Sequence, residues 1–350
     1  MPDTSAPIRE AISLLANRQS LSERLATEVF NAVMRGEATP AQLGALLVGL
    51  RVKGESAEEV AGAARALREA MVRVDADDAH LVDTCGTGGG AVTTFNISTG
   101  AAFVAAGAGA HVAKHGNRSF TSRSGSADVL EALGVAITLD ATAAGRVLRE
   151  ACITFLFAPT FHPAMKHVGP VRRELGAPSV MNLVGPLANP AGVRRQVLGV
   201  ADRARGALMA TALLRLGAEH AMVVHGRIGM DEISPQGITD VWEVRNGAVT
   251  TWEVDPADYG CDIADASVLA GGTPAENAKR VEGLLAERGG GGADPGGLAA
   301  LLLNAGAAIY VAGLTPSYAE GVKRAAEVVQ RGGGLSALER LRRAAASTSG

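Results

Sequence analysis

The residue types best suited to chemistry lie in residues 82–126, where two loops rich in glycine and hydroxyl groups flank a predicted helix. The first loop reads GTGGG over residues 86–90, and Asn96, Ser98 or Thr99 can cap the helix that follows. Glycines let backbone N–H groups approach oxygen atoms closely, and the first N–H groups of a helix point at an anion. The spacing fits neither GxGxxG nor GxxxxGKS/T, so the dinucleotide and P-loop motifs are excluded.

The second loop adds the cations that a phosphate site needs. Lys114 and Arg118 follow an apolar run that predicts a strand, and each can neutralise a phosphate oxygen. The hydroxyl donors of this loop are Ser119, Thr121, Ser122, Ser124 and Ser126. Together, the glycine loop, the helix start, the cations and the hydroxyl groups predict a binding site for a phosphorylated ligand.

Two charged motifs lie outside these loops. Arg172, in the segment VRR over residues 171–173, suits a planar carboxylate through two parallel hydrogen bonds, although a surface ion pair is the commoner role. Asp231 and Glu232 follow a predicted strand and suit a hard cation with oxygen ligands, although acidic pairs are common on solvated loops. The residues alone leave these interpretations open, and His162, taken alone, is more often a structural histidine.

The elements that must position these residues alternate between strand and helix from about residue 81. Apolar runs predict strands at 80–84, 110–115, 135–139, 153–158, 196–200 and 221–225, and a hairpin at 242–245 and 249–254. Helical patterns lie at 127–133, 142–150 and 203–216, and residues 5–73 predict four helices. The predicted fold class is α/β, with a small all-helical domain and a large α/β domain whose central, mostly parallel sheet is flanked by helices.

Composition limits the class of protein. The 350 residues correspond to about two domains, and the 47% of hydrophobic residues can fill a large core. A net charge of −3 argues against binding nucleic acid or a membrane surface by broad electrostatic attraction. Three widely spaced cysteines without a metal-site pattern, and an N-terminus without a signal pattern, predict a cytoplasmic protein. No run is apolar and long enough to predict a membrane span.

Short segments spread over nearly the whole chain match the motifs of one known family. The segments are GTGG followed by FNIST, VAKHGNRS, SGSADVLEALG, HPAMKHVGPVRRELG, NLVGPLANP and GMDEIS. In these motifs the chain resembles the anthranilate phosphoribosyltransferase family. The resemblance implies a pentosyl-transferring glycosyltransferase that moves the phosphoribosyl group of phosphoribosyl pyrophosphate (PRPP) to the amine of anthranilate. The products would be N-(5-phosphoribosyl)anthranilate and pyrophosphate, in the second committed step of tryptophan biosynthesis.

The resemblance also implies a domain division and an assembly. Residues 1–74 with 168–190 would form the helical domain, which makes the interface of a homodimer. Residues 75–167 with 191–350 would form the α/β domain that binds PRPP. The proline-rich segment 159–190 would return to the helical domain and form one wall of the cleft between them.

The family's site residues carry over to the matching positions of this sequence. For PRPP these positions are Gly86, Gly89, Gly90, Thr94, Asn96, Ile97, Ser98, Thr99, Lys114, His115, Gly116, Asn117, Arg118, Ser119, Phe120, Thr121, Ser122 and Ser126. For anthranilate they are Gly86, Asn117, His162 and Arg172. The resemblance further implies two Mg²⁺ ions per subunit, bound through Ser98, Asp231 and Glu232. Lys114 and Asn117 are the candidate catalytic residues, acting through charge and position.

Gly90 departs from the family pattern, which has aspartate after the glycines. If that aspartate mainly holds the loop, its absence leaves a looser loop, and ordering the backbone costs about 1–2 kcal/mol per residue. An active enzyme with weakened affinity for PRPP is then expected. Gly90→Asp is expected to lower the Michaelis constant for PRPP several-fold, provided that the φ angle at position 90 suits a residue with a β-carbon.

Three other functions stay open at this point. The chain could be a pyrimidine nucleoside phosphorylase, which has a similar architecture but uses phosphate and a nucleoside. It could be a non-catalytic relative that binds nucleic acid, which predicts a basic groove and a steep salt dependence. It could also serve pathway assembly or regulation without catalysis, which Gly90 alone keeps open. The net charge of −3 and the acidic pair argue against the nucleic-acid interpretation.

Overall fold

A computed structural model of the protein describes residues 6–76, 80–119, 123–288 and 292–347. The helices of these ranges are α1 (Ala6–Ala16), α2 (Glu23–Met34), α3 (Pro40–Lys53), α4 (Ala57–Ala70), α5 (Ile97–Ala108), α6 (Ser126–Ala132), α7 (Ala141–Ala151), α8 (Ala158–Phe161), α9 (Gly169–Leu175), α10 (Val180–Val184), α11 (Gly206–Arg215), α12 (Pro274–Leu285), α13 (Pro295–Val311), α14 (Tyr318–Gln330) and α15 (Gly333–Ala346). The strands are β1 (Leu81–Gly86), β2 (His111–Gly116), β3 (Ile153–Phe157), β4 (Arg195–Gly199), β5 (His220–Gly226), β6 (Thr239–Arg245) and β7 (Ala248–Val254).

Local signals set the ends of the four N-terminal helices. The Ser22 side chain caps α2, and Thr39 and Ser56 form reciprocal capping boxes with Gln42 and Glu59 at the starts of α3 and α4. Each box satisfies N–H groups that have no partner within the helix. The four helices predicted for this part of the chain are therefore confirmed.

A seven-stranded sheet forms the centre of the fold, in the order β3-β2-β1-β4-β5-β6-β7. The first five strands in this order are parallel, and β6 and β7 add an antiparallel hairpin. The hairpin turns at Asn246 and Gly247, whose φ angles of 52° and 75° are those of the turn that such residue pairs favour. The mostly parallel α/β architecture expected from the sequence is confirmed.

The two faces of the sheet pack into different hydrophobic cores. On β5, Met222 and Val224 join the core that contains α5, α13 and α15, whereas Ala221 and Val223 join the core that contains α1–α4, α10 and α11. Successive side chains of a strand point to opposite faces, so a strand covered on both sides reads as a continuous apolar run. The four N-terminal helices and one face of the sheet thus share a core.

One predicted strand is wrong. Residues 135–139 bury the alternate side chains of Val135, Ile137 and Leu139, but they form no strand in the described sheet. Alternating burial arises wherever a segment lies on a hydrophobic surface, so it does not by itself specify a partner strand. Among the described residues, no helix combines the length and apolar character that a membrane crossing requires.

Candidate active site

The glycine loop follows the carboxyl end of β1 and contacts the acidic pair that follows β5. The Gly88 N–H donates to Asp231 Oδ2 at 2.9 Å, and a β-carbon on Gly86 would lie 2.6 Å from the same oxygen. Gly88 and Gly89 have φ angles of 69° and 82°, a region that side chains rarely adopt. Parallel strands end at one edge of the sheet, which is where open α/β folds bind ligands.

Asp231 and Glu232 are partly buried, not solvated as acidic pairs on loops usually are. The Thr94 hydroxyl donates to the Glu232 carboxylate, 3.2 Å from each oxygen. Burial raises the pKa of Asp231, and burial followed by the charge of Asp231 raises the pKa of Glu232 well above its usual value. Two neighbouring carboxylates in this environment favour a bound cation, which would stabilise both charges.

The donors around this pair fit magnesium. Ser98, Asp231 and Glu232 line one small pocket together with Thr84 and Asn304. Within the described ranges, His, Cys, Asp and Glu form no cluster of three or more that could hold a metal ion. Two carboxylates and a hydroxyl are nevertheless suitable, because Mg²⁺ keeps several waters and takes further oxygen ligands from substrate phosphates.

Lys114 lies at the same edge and is almost completely buried. Its Nζ donates to the Thr84 carbonyl oxygen at 2.5 Å and lies 3.4 Å from Ser98 Oγ. Burial lowers the pKa of Lys114, opposed by the nearby Asp83 carboxylate. The ammonium group is thus placed beside the first turn of α5, next to the hydroxyl proposed for the metal.

Asp83 and Asn189 support this edge, and neither is among the predicted site residues. Asn189 Nδ2 donates to Asp83 Oδ2 and to the Ala113 carbonyl oxygen, each at 2.8 Å, and the His115 N–H donates to Asp83 Oδ1 at 3.2 Å. Burial raises the pKa of Asp83 to about 6. The available sequence signal was a carboxylate within the apolar run of β1. A carboxylate in such a run is expected to be buried, and a buried carboxylate needs hydrogen-bond donors around it.

The second loop differs from expectation at Arg118. Its guanidinium donates to Asp128 Oδ1 at 3.0 Å and to Glu131 Oε1 at 2.9 Å, and it lies 5.6 Å from the centre of the Phe157 ring. Two carboxylates therefore already neutralise the charge that was expected to face a phosphate. The predicted site residues Phe120, Thr121 and Ser122 lie outside the described residues.

Other predicted residues of this loop make contacts that involve the backbone of the loop. The Ser119 N–H donates to Asp128 Oδ2 at 3.2 Å, and Ser126 Oγ donates to the Asn117 carbonyl oxygen at 3.4 Å. Gly116 ends β2, and a β-carbon there would overlap the Ser126 hydroxyl. These contacts hold the loop against the start of α6.

Asn96 occupies the cap position of α5, but its side chain makes no capping hydrogen bond. Instead Asn96 Nδ2 donates to the Ser124 carbonyl oxygen at 3.2 Å, and Asn96 Oδ1 accepts from Asn277 Nδ2 at 3.0 Å. The side chain ties the two loops together, which leaves the first N–H groups of α5 without a side-chain cap. Ile97 is completely buried, and Thr99 Oγ1 is buried without a partner among the described residues.

His115 and His162 meet although they lie in different segments. Their Nε2 atoms are 3.2 Å apart, and both side chains are buried. Burial lowers the pKa of His115 to about 3 and that of His162 to about 4, so both rings are neutral at pH 7. The contact joins the end of β2 to the proline-rich segment.

Arg172 lies on α9 and pairs with no carboxylate among the described residues. Its Nη2 lies 3.4 Å from Asn182 Oδ1, and burial lowers its pKa. The common role of a surface ion pair is therefore absent here. A partly buried guanidinium without a counter-ion is suited to a carboxylate ligand.

Known proteins match this chain over nearly its whole length. The profiles described as "Glycosyl transferase family, helical bundle domain" and "Glycosyl transferase family, a/b domain" match residues 9–71 and 78–335. The anthranilate phosphoribosyltransferase of Rubrobacter xylanophilus is 50% identical over 344 residues, which cover 98% of this chain and 99% of that protein. The chain belongs to the anthranilate phosphoribosyltransferase family.

Solved structures of the anthranilate phosphoribosyltransferase family superimpose on nearly the whole chain. The enzyme of Thermus thermophilus is 44% identical, with a TM-score of 0.89 and coverage of 96% of this chain and 99% of that one. The Saccharomyces cerevisiae enzyme in complex with PRPP and Mg is 28% identical, with a TM-score of 0.89 and coverage of 98% of both chains. The family expected from the motifs is confirmed.

Gly90, where the resemblance to the family implies an aspartate, lies against the turn that carries the acidic pair. A β-carbon at Gly90 would lie 2.9 Å from the Gly229 carbonyl oxygen and 3.3 Å from Asp231 Oδ1. The same carbonyl oxygen accepts from the Ala91 N–H at 2.9 Å. The φ angle of Gly90 lies outside the left-handed region, so space and charge, not φ, oppose a side chain here.

This geometry reverses the expectation for Gly90→Asp. We expect the Michaelis constant for PRPP to rise, because the new β-carbon displaces the Gly229 carbonyl and the new carboxylate lies beside Asp231. Overpacking costs about 1–3 kcal/mol, which corresponds to a change of roughly fivefold or more. Steady-state kinetics at saturating Mg²⁺ measure the effect, and Gly90→Ala separates the steric part from the charge. A lower Michaelis constant for PRPP in Gly90→Asp would instead support the interpretation that the loop lacks an aspartate to hold it.

Proposed function

We propose that the protein transfers the phosphoribosyl group of PRPP to the amine of anthranilate, producing N-(5-phosphoribosyl)anthranilate and pyrophosphate in tryptophan biosynthesis. The observation that carries the proposal is the meeting of the glycine loop with Asp231 and Glu232, in a chain that matches this family over its whole length. The loop and the carboxylates form an edge suited to a pyrophosphate group and a divalent cation.

Ser98, Asp231 and Glu232 are the proposed magnesium ligands, with two ions per subunit. Bound Mg²⁺ neutralises the pyrophosphate and makes it a better leaving group. Asp231 also accepts from the loop at Gly88, so occupation of the metal site and order of the loop are linked. This link explains why the acidic pair lies directly behind the glycines.

PRPP is proposed to bind along the loops that follow β1 and β2. The N–H groups of Gly89 and Gly90, next to the one that Gly88 donates to Asp231, and that of Ser98 at the start of α5 are proposed to donate to the phosphates. Lys114 supplies a buried positive charge. Departure of pyrophosphate develops positive charge on the ribose. Asn117 lies between the two substrates in this arrangement and would orient the acceptor.

Anthranilate is proposed to bind through its carboxylate to Arg172. Its aromatic amine is neutral at pH 7, so it needs no strong base before it attacks the ribose. His115 and His162 are both neutral and buried, which suits the apolar path of an aromatic substrate. Catalysis would rest on positioning the two substrates and excluding water.

We also propose the domain division expected from the motifs, 1–74 with 168–190 and 75–167 with 191–350. It is supported by the packing of α9 and α10 against α3 and of α10 against α4. A cytoplasmic location is supported by the three cysteines, none of which is paired. Motion of the helical part against the sheet would close the cleft over the substrates.

A homodimer is proposed to form through α3. This helix exposes an apolar stripe at Ala41, Ala45, Val48 and Val52, of which Val52 is 71% exposed. Contiguous exposed apolar side chains at this helical spacing suit burial against a second copy. Sedimentation should give the mass of two 35.6 kDa chains, and Val52→Lys should shift it toward one. A single-chain mass for the unaltered protein at micromolar concentration would contradict the proposal.

The activity is tested by adding PRPP, Mg²⁺ and anthranilate to the purified protein. We expect a loss of anthranilate fluorescence with release of one pyrophosphate per anthranilate, and no loss when Mg²⁺ is chelated. A folded protein that leaves anthranilate unchanged would refute the proposal. Cleavage of a pyrimidine nucleoside with phosphate would instead support the phosphorylase interpretation.

A further inference from the structure

A separate pocket opens at the opposite edge of the sheet, where β4 and β5 begin. Its volume is about 940 Å³, and Arg194, Arg195, Glu219, His220, Arg245 and Tyr310 contribute its polar lining. The seven residues of β5 separate it from the acidic pair by roughly 20 Å at 3.3 Å per residue. None of these residues belongs to the proposed catalytic edge, and the volume is in the range of small-molecule sites.

The charged lining of the pocket is unbalanced. Three arginines line it with one carboxylate, that of Glu219, and the Glu243 carboxylate lies behind the lining, which leaves a formal excess of one positive charge. Glu219 lies 2.8 Å from Arg194 Nη1 and 3.4 Å from Arg195 Nη2. Arg245 pairs with no carboxylate among the described residues. This excess favours an anionic ligand.

A hydrogen-bond network holds Arg245 in position. Its Nη1 donates to the Tyr310 hydroxyl at 2.8 Å, and that hydroxyl donates to Glu243 Oε1 at 2.8 Å. Glu243 also bonds His220 Nε2 and accepts from Trp252 Nε1, each at 2.8 Å. Both carboxylate oxygens of Glu243 are thus occupied behind the pocket, and the guanidinium is fixed before any ligand arrives.

Arg195 has one N–H group without an acceptor among the described residues. Its Nη1 donates to the Val311 carbonyl oxygen at 3.0 Å, but its Nε is buried without a partner in the described structure. A buried donor without an acceptor is unfavourable, and a nearby anion would offset part of that cost through the charge of the guanidinium. The organic part of a ligand would meet the apolar lining at Leu214, Leu314 and Pro316.

We propose that this pocket binds the phosphate monoester of a small organic molecule. Such a group carries about −1.5 to −2 charges at pH 7 and presents three acceptor oxygens to the three arginines, whereas a carboxylate presents one charge and two oxygens. Guanidinium groups bind phosphate oxygens through parallel hydrogen bonds. Tyr310 and the apolar lining would contact the organic part.

The test is calorimetric titration of the full-length protein with phenyl phosphate, and with benzoate as the carboxylate counterpart. We expect phenyl phosphate to bind more tightly than benzoate, and Arg194→Gln with Arg245→Gln to weaken it at least roughly tenfold. Lys114→Gln should leave this binding unchanged, because Lys114 belongs to the catalytic edge. Arg24→Gln, which alters an exposed arginine elsewhere, is the matched control.

The single variant Arg194→Gln keeps the test valid if loss of the Arg245 contact destabilises the fold. Arg194 is 63% exposed, and the described contacts of its guanidinium are at the rim of the pocket, with Gly217 and Glu219. Absence of phenyl phosphate binding would overturn the proposal. So would binding that Lys114→Gln abolishes and the arginine variants keep, because the probe would then lie at the catalytic edge. Benzoate binding as tight as that of phenyl phosphate would overturn the ligand class.

Discussion

Asp231→Asn combined with Glu232→Gln is expected to reduce turnover on the order of a hundredfold or more at ordinary Mg²⁺ concentrations. Removal of groups that stabilise transition-state charge has effects of this size. The amide oxygens can still accept from the Gly88 N–H and the Thr94 hydroxyl, so the loop contacts survive. The charge that holds the cation is what the variant loses, which separates the metal role from the structural one.

The fold of this double variant should be at least as stable as that of the unaltered protein. Burial raises the pKa of both carboxyl groups, so folding favours their protonated forms. A carboxyl group whose pKa is raised on folding contributes stability below its unfolded pKa and loses it as the pH rises through the folded value. Neutral amides avoid this loss of stability at pH 7. Thermal unfolding of both proteins without Mg²⁺ measures the difference in stability.

The control for the metal assignment is Asp258→Asn, which alters an exposed carboxylate on a separate segment. It should keep full activity and the same dependence on Mg²⁺. Near-normal turnover of the Asp231 and Glu232 variant at low Mg²⁺ would show that the metal is bound elsewhere. Turnover measured over a range of Mg²⁺ concentrations decides between these results.

Arg172→Ala is expected to raise the Michaelis constant for anthranilate roughly a hundredfold and to leave that for PRPP nearly unchanged. Loss of a charge-assisted hydrogen-bonded pair costs on the order of 2–3 kcal/mol. The hydrogen bond from the guanidinium to Asn182 is long, at 3.4 Å, and the guanidinium has no carboxylate partner among the described residues. Little of the fold therefore depends on it. Arg172→Lys should recover a part of the loss, because lysine keeps the charge without the planar pair of donors.

Arg173 provides a matched control on the same helix, because it is the next residue and is exposed. Arg173→Ala changes the same charge by the same amount and should leave both Michaelis constants unchanged. An equal effect of Arg172→Ala on both substrates would indicate disturbance of the whole cleft. No effect on anthranilate would remove Arg172 from the acceptor site.

The sequence by itself determined the local structure and the family. Helical spacing predicted the four helices of residues 5–73, the segments 242–245 and 249–254 predicted the hairpin, and apolar runs predicted strands of the sheet. These features depend on residues a few positions apart, so a short pattern contains the whole physical cause. The motifs of the two loops likewise identified the family before any geometry was known.

The tertiary structure decided which of the predicted charges are available. Arg118 and Arg172 are both arginines in polar loops or short helices, yet one is held by Asp128 and Glu131, and the other has no counter-ion among the described residues. It also decided that Gly90 has no room for a side chain, because Gly229 lies against it. The energy of a charge or of an added β-carbon depends on its distance in space from neighbouring atoms. The spacing of residues along the sequence does not specify that distance.

The same reason explains the features that the sequence analysis did not predict correctly. Asp83 and Asn189 are 106 positions apart and meet only because β1 and the chain before β4 pack together. The pocket lined by Arg194, Arg195 and Arg245 combines residues from the starts of β4 and β5, the end of β6 and the end of α13. The apolar run at residues 135–139 predicted a strand, but pairing depends on a partner strand in space, and these residues join no strand of the described sheet. Long-range packing therefore placed the supporting residues, while local chemistry had already specified the loops that they support.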